Sequence, residues 1–177
     1  MTVNEMVDIL DSNGVVIASV SRVEAEAQNH TTQNVLVFIF TTEGKVWVQL
    51  RPKTKNHYPG RWDVSACGGL LSGEEPDLAA TRELSEETGL SGVELHHVET
   101  FMNIFPGDAG EERRRLSHVY VGVSDEIPQA NEEADDFKAW HPAELLNDIQ
   151  NNIDSYIPSM ATEVRIATHG YKHFFDR

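Results

Sequence analysis

Glu83, Glu86 and Glu87 are three glutamates whose spacing suits metal chemistry. On a helix, positions i, i+3 and i+4 lie on one face, so the three carboxylates would be close neighbours. Like charges at this spacing destabilise an isolated helix by about 0.2–0.5 kcal/mol per pair, and a bound cation would remove that repulsion. Magnesium prefers oxygen ligands and is commonly held by one or two carboxylates together with substrate phosphates. The spacing therefore indicates a divalent-metal site, with a solvated acidic helix face as the alternative.

The residues that flank these glutamates distinguish the two interpretations. Gly68 is followed after five residues by Glu74, and after seven more by the run Arg-Glu-Leu-Ser-Glu-Glu at positions 82–87. One residue further on come Gly89 and Leu90. This arrangement resembles the signature of the Nudix hydrolases at every defining position. Average residue usage gives a chance match on the order of one in ten million for a chain of this length, so the resemblance is specific.

The resemblance implies both a fold and a reaction. The expected fold is α/β (α+β), a Nudix-like α/β/α sandwich with a mixed sheet and an N-terminal β-hairpin extension, and residues 1–177 are expected to form a single domain. The expected activity is that of a metal-dependent hydrolase, a Nudix-type pyrophosphohydrolase that uses Mg²⁺ or Mn²⁺. Its substrate would be a nucleoside diphosphate derivative or a similar small diphosphate compound.

The resemblance also assigns roles to individual residues of the motif. It implies that Glu83, Glu86 and Glu87 bind the metal and activate water, and that the backbone carbonyl of Cys67 is a further ligand. Glu74 and Arg82 complete the catalytic set as the pair that orients these carboxylates. Metal ions can bridge phosphate oxygens and lower the pKa of a bound water that attacks phosphorus, which is consistent with these roles.

A wider resemblance extends to the branch of the family that contains isopentenyl-diphosphate isomerase. It covers the N-terminal hairpin and the segments 51–55 and 59–68. That isomerase has a catalytic cysteine where Cys67 stands and diphosphate-holding basic residues at positions similar to Arg51 and Lys55. Two features depart from it, since Gly69 stands where a metal-binding histidine is expected and no acid pair is found around residues 116–118. The isomerase and a non-catalytic diphosphate-binding module remain the alternatives to a hydrolase.

Several charged residues outside the motif are candidates for the substrate site. Arg51, Lys55 and Arg61 precede the motif and are expected to hold substrate phosphates, although solvated loop charges would look the same. The run of arginines at 113–115 follows a glycine-containing loop that could lie over a substrate, or it is simply solvated. In the acidic stretch that follows, Glu133 is the candidate for an additional catalytic or metal-binding acid.

The composition of the chain restricts its partners. The net charge of −15 over 177 residues would repel a nucleic-acid backbone, so a small anionic substrate needs local cations or a metal. No apolar stretch approaches the roughly 20 residues of a membrane helix, and residues 1–11 do not resemble a secretory signal. One cysteine and no signal favour a reducing cytoplasm. If the chain oligomerises, a homodimer is expected, since dimers are the commonest oligomer. The Cys67 side chain is expected to be a buried apolar group rather than a nucleophile.

Apolar periodicity predicts the elements that must position these residues. The helix of the motif should begin at Pro76 and end at Gly89, with Leu78, Thr81, Leu84 and Ser85 facing inward. Residues 35–40 are continuously apolar and predict a buried strand, whereas residues 46–50 alternate and predict a strand with one buried face. The other predicted elements are a hairpin (6–10 and 15–20), a connection (24–34), a loop (51–62), two strands (93–105 and 116–123) and two helices (142–150 and 159–168).

Overall fold

The computed structural model describes residues 5–176 and has three layers, with helices on both faces of a mixed sheet. The strands are β1 (Met6–Leu10), β2 (Val16–Ser21), β3 (Thr32–Phe40), β4 (Val46–Leu50), β5 (Trp62–Asp63), β6 (Ala66–Gly69), β7 (His96–Pro106), β8 (Glu112–Val123) and β9 (Asp136–Trp140). The helices are α1 (Arg22–Ala27), α2 (Pro76–Thr88), α3 (Pro142–Asn151) and α4 (Met160–Phe174), with a short 3-10 helix at Ile153–Ser155. The predicted fold class and the N-terminal hairpin, formed by β1 and β2, are confirmed.

Strand β3 lies at the centre of the sheet and explains the layered core. It pairs in parallel with β8 and antiparallel with β4 and β6. Residues 35–40 are all buried, and because successive side chains of a strand point to opposite faces, β3 contributes to two cores. One core joins Val35, Val37 and Ile39 to α2, and the other joins Leu36, Phe38 and Phe40 to α3 and α4. The continuous apolar run therefore predicted the central strand correctly.

Helix α2 begins and ends where its terminal residues predicted. Pro76 occupies its first position, and Gly89 follows its last residue with a φ of 73°, a left-handed conformation that glycine adopts without a Cβ clash. The predicted inward face was correct at Leu84 but wrong at its other positions, because Leu78 is 65% exposed and Thr81 and Ser85 are also exposed. The buried face instead consists of Ala79, Ala80, Glu83, Leu84, Glu87 and Thr88. Two of the motif glutamates are thus turned toward the sheet.

Several elements differ from the sequence-based expectation, including the short strands β5 and β6, which were not predicted. The predicted connection contains helix α1, whose N-cap Ser21 accepts a hydrogen bond from the Glu24 amide at 3.2 Å. The acidic stretch after residue 130 ends in β9, which pairs antiparallel with β4. Helix α4 continues to Phe174, six residues beyond its predicted end. Among residues 5–176, no helix combines the length and the apolar character needed to cross a membrane.

Candidate functional site

Glu83 reaches the sheet because strand β6 has a glycine opposite it. A Cβ built on Gly68 would lie 2.0 Å from the Glu83 carboxyl carbon, so any other residue would displace that carboxylate. Glu83 is only 9% exposed, and burial raises the pKa of its carboxyl group, while the adjacent Arg82 guanidinium opposes this shift. The first glycine of the motif therefore has a steric role, which is to let helix α2 place a carboxylate directly on β6.

Glu87 lies one turn further along α2 and is held by two donors. Its Oε2 accepts hydrogen bonds from the Gln49 side chain at 2.7 Å and from the Cys67 amide at 2.8 Å. Burial raises the pKa of Glu87 to about 8, although both hydrogen bonds favour the ionised form. The N–H and C=O of one strand residue point the same way, so the Cys67 carbonyl faces the same side as its amide.

Arg82 and Glu74 form a two-point ion pair at the start of the site. The Arg82 Nε and Nη2 atoms donate to the two Glu74 carboxylate oxygens at 2.8 and 2.9 Å. The remaining Nη1 donates to Glu83 at 2.6 Å and, more weakly, to Glu86 at 3.4 Å. Glu86 is exposed, in contrast to the other two motif glutamates. One arginine thus touches three carboxylates and fixes their relative positions.

The chemistry of this donor set fits a hard divalent cation. Within residues 5–176, the side chains form no ready-made group of three or more metal-binding residues, because the Arg82 guanidinium lies between Glu83 and Glu86. A cleft beside strand β6 is nevertheless lined by all three motif glutamates and by Cys67. These residues offer oxygen ligands, and among the described residues no histidine lines this cleft. Burial and, to a smaller extent, repulsion from Glu83 raise the pKa of Glu87, and a cation would stabilise both carboxylates in their ionised form.

The predicted basic residues are only partly brought to this cleft. Lys55 lines it and forms an ion pair with Glu133, so both predicted residues lie beside the motif glutamates. Arg51 lines the adjoining part of the cleft, where its Nη1 donates to Asp63 at 2.7 Å. Arg61 points elsewhere, because its guanidinium packs over the Tyr58 ring and donates to a backbone carbonyl.

Two further arginines line the cleft, of which Arg22 was not predicted and Arg115 belongs to the run at 113–115 that was a candidate for the substrate site. Arg22 lies over strand β6, where a Cβ on Gly69 would come within 2.5 Å of its Nη1. Arg115 projects from β8 into the adjoining part of the cleft, and in the part of the chain that the structure describes no carboxylate forms an ion pair with it. Strand alternation was an available signal, because Arg113 and Arg115 must face the side opposite to Arg114.

Comparisons with known proteins identify a family and relatives in sequence and in fold. A family model described as the NUDIX domain matches residues 30–160. An isopentenyl-diphosphate Delta-isomerase of Serratia proteamaculans is 33% identical over 147 residues, 82% of this chain and 80% of that protein. The uncharacterized Nudix hydrolase SCO1686 of Streptomyces coelicolor is 34% identical over 139 residues, 78% of this chain and 73% of that protein. The crystal structure of DR0079 from Deinococcus radiodurans aligns with a TM-score of 0.78 at 22% identity, covering 92% of this chain and 99% of that one.

Proposed function

We propose, from the premise that this chain belongs to the Nudix family, that it is a divalent-metal-dependent hydrolase of small diphosphate compounds. The predicted resemblance to this family and to its isomerase-like branch is confirmed. The observation that supports hydrolysis is the complete acidic site, in which Glu83, Glu86 and Glu87 surround one cleft and Arg82 is clamped by Glu74. A module that only binds diphosphate would have no need for all three carboxylates.

In this proposal the motif residues hold Mg²⁺ or Mn²⁺. Glu83, Glu86, Glu87 and the Cys67 carbonyl are the candidate ligands, and Arg82 with Glu74 keeps the first two carboxylates aligned. A bound metal would bridge phosphate oxygens and lower the pKa of a water that attacks phosphorus. Glu133 lines the same cleft and forms an ion pair with Lys55, which makes it the candidate for an additional acid.

The cations around the cleft provide the local positive charge that an acidic protein needs in order to bind an anion. Lys55, Arg22, Arg51 and Arg115 line its two parts. Arg115 is the strongest candidate for a phosphate contact, because burial and the neighbouring arginine Arg113 lower the pKa of its guanidinium. A cation in that position gains most from a phosphate, so we assign the substrate diphosphate to this part of the cleft.

Two features weigh against the isomerase alternative. The guanidinium of Arg22 fills the space above Gly69, so a cation stands where the isomerase branch has a metal-binding histidine. The acid pair of the isomerase branch is missing around residues 116–118 of β8. In its place, Ser117 donates to Asn34 and His118 is hydrogen-bonded to Gln33. These polar partners are internal to the sheet and offer no carboxylate for a second metal-binding site.

The proposed reaction predicts strict metal dependence. A panel of nucleoside diphosphates, nucleotide sugars, dinucleotides and isoprenoid diphosphates should include a compound that releases phosphate or a monophosphate with Mg²⁺ or Mn²⁺, and none after addition of a chelator. The reason is that the carboxylates cannot polarise a phosphate without a cation. Phosphate release and chromatography of products measure this. Inactivity on every compound, together with no metal binding by calorimetry, would favour the binding module.

The rival activity is tested directly with isopentenyl diphosphate. We expect no dimethylallyl diphosphate, because burial raises the pKa of the Cys67 thiol and its Sγ already donates to Asp63 at 3.4 Å. Product analysis by mass spectrometry and chromatography, with an authentic isomerase as the positive control, gives the answer. Formation of the isomer that disappears in Cys67→Ala would replace the hydrolase proposal by the isomerase.

Three broader assignments belong to this proposal. Residues 1–177 act as one domain, supported by backbone hydrogen bonds that tie the hairpin to the body, such as that from Ser72 N to Met6 O at 2.8 Å. A reducing cytoplasm is proposed because Cys67 is the only cysteine. A homodimer is the proposed oligomer if one forms, since two-fold symmetry is the commonest arrangement.

A further inference from the structure

A second cavity adjoins the diphosphate cleft on the far side of Cys67. Its volume is about 150 Å³, and it shares Arg51, Cys67 and Arg115 with the cleft. A substrate whose phosphates contact those arginines could therefore extend its non-phosphate part into this second cavity. None of the motif glutamates lines it, so its residues act on something other than the metal.

Glu163 lines this cavity and is the least satisfied acid in it. The residue is 1% exposed, and its Oε1 accepts a hydrogen bond from the Asn103 amide at 2.8 Å. By hydrogen-bond geometry its Oε2 is buried and has no partner within the described residues, although the Ser159 side chain lies near enough to favour the ionised form. Burial raises the pKa of this carboxyl group to about 7, against the opposing effects of Ser159 and Asn103. A buried acceptor without a donor is destabilising, so a ligand that supplies a donor would be favoured here.

One part of the cavity wall is apolar, whereas the rest carries polar and charged side chains such as Arg113 and Asp63. Leu36, Phe105 and Ile157 line the apolar part together with the Tyr58 ring. A cavity of about 150 Å³ is known to accommodate one six-membered aromatic ring. The volume and the apolar part of the wall therefore fit a single flat ring, and the Glu163 carboxylate favours a ring that carries a hydrogen-bond donor such as an N–H group.

We propose that Glu163, positioned by Asn103, is the specificity-determining residue of this chain and accepts a hydrogen bond from an N–H group of a six-membered ring attached to the substrate phosphates. A pyrimidine base has this chemistry when a ribose links it to the phosphates. The proposal rests on the proposed function for the phosphate end of the ligand. It also disfavours a hydrocarbon chain as the occupant, because such a chain would leave the Glu163 Oε2 without a partner.

A chemical double-mutant cycle tests this contact apart from catalysis. The probes are uridine and cytidine 5′-monophosphate, which have no anhydride to cleave, each paired with an analogue whose base-edge N–H groups are methylated. Calorimetry should show that methylation weakens binding to the wild-type protein at least about tenfold for one pair, because the buried carboxylate loses its donor. In Glu163→Gln the same comparison should give a ratio near one, since the amide places a donor where Oε2 was.

Two comparisons keep this result interpretable. Glu144→Gln, on the exposed face of α3, is the matched control and should preserve the wild-type ratio. The wild-type ratios alone test the proposal if Glu163→Gln melts at a much lower temperature. The proposal would be overturned if methylation weakened binding to the wild-type protein less than about twofold for both pairs, or if the weakening persisted in Glu163→Gln. Failure of hydrolysis with these binding ratios intact would instead refute only the proposed function.

Discussion

Glu86→Gln and Glu87→Gln each lower metal-dependent turnover by at least about 100-fold, while melting of the metal-free protein changes little. Loss of one anionic ligand weakens the binding of the cation and the activation of its bound water. These effects together commonly raise the barrier by several kcal/mol, and about 1.4 kcal/mol corresponds to a factor of ten in rate. The fold should survive, because a glutamine at 87 can still accept the hydrogen bonds of Gln49 and Cys67 through its carbonyl oxygen.

The measurement is turnover on a confirmed substrate at several metal concentrations, beside thermal melting without metal. Glu94→Gln is the control, because Glu94 lies outside the motif with a side chain that is 86% exposed. It should match the wild-type protein in both assays. Near-wild-type turnover of Glu86→Gln and Glu87→Gln would show that the acidic face of α2 is a solvated surface and that the proposed mechanism is wrong.

Gly68→Ala is expected to abolish most of the turnover without unfolding the protein. The added Cβ would lie 2.0 Å from the carboxyl carbon of Glu83, so that carboxylate must move. The movement costs little stability, because the clashing group is the end of a flexible side chain. A displacement of about 1 Å at a reacting centre can lower the rate about 100-fold, so catalysis should suffer far more than folding.

Gly92→Ala is the reciprocal control for that experiment. Gly92 has a φ of 70° and no atom within 4 Å of an added Cβ, so alanine there meets backbone strain but no clash. It should lower the free energy of unfolding by about 1 kcal/mol and leave turnover unchanged. Chemical denaturation and initial rates for the two variants give the comparison. A loss of activity in Gly68→Ala that merely follows its loss of stability would contradict the steric role.

Elements with a single strong pattern were predictable from the sequence. The run at 35–40 was short and rich in β-branched and aromatic residues, which favours a buried strand, and Pro76 and Gly89 mark the ends of α2 through backbone geometry that few other residues share. The orientation of α2 was not predictable in the same way. Glu83 and Glu87 belong to its buried face and Leu78 does not, because the sheet offers those glutamates a glycine and two donors.

The missed elements had weaker or conflicting signals. Helix α1 has only six residues, too few for an apolar period, although Ser21 with Glu24 is the spacing of a helix capping box. Strand β9 is rich in charge at its start, and its pairing with β4 is a long-range contact that local preference does not encode.

The second cavity was missed because its residues come from distant strands and helices. A hint did exist at Glu163, which occupies the apolar face of α4 with Met160, Val164 and Ala167. A lone acid on such a face departs from ordinary amphipathic patterning, and such departures concentrate at functional positions. Asn103 offered no comparable sign, since only the fold brings β7 against α4.

The register between β3 and β6 has a consequence for how this protein can change during evolution. Val35 lies opposite Gly68 and Leu36 opposite Cys67, and the same two positions of β3 point into the two different cores. An insertion or deletion of one residue in β3 would exchange its two faces and simultaneously move Gly68 away from Glu83. Core packing and catalysis therefore depend on the same register between β3 and β6. Strand β3 should tolerate substitutions far better than insertions or deletions.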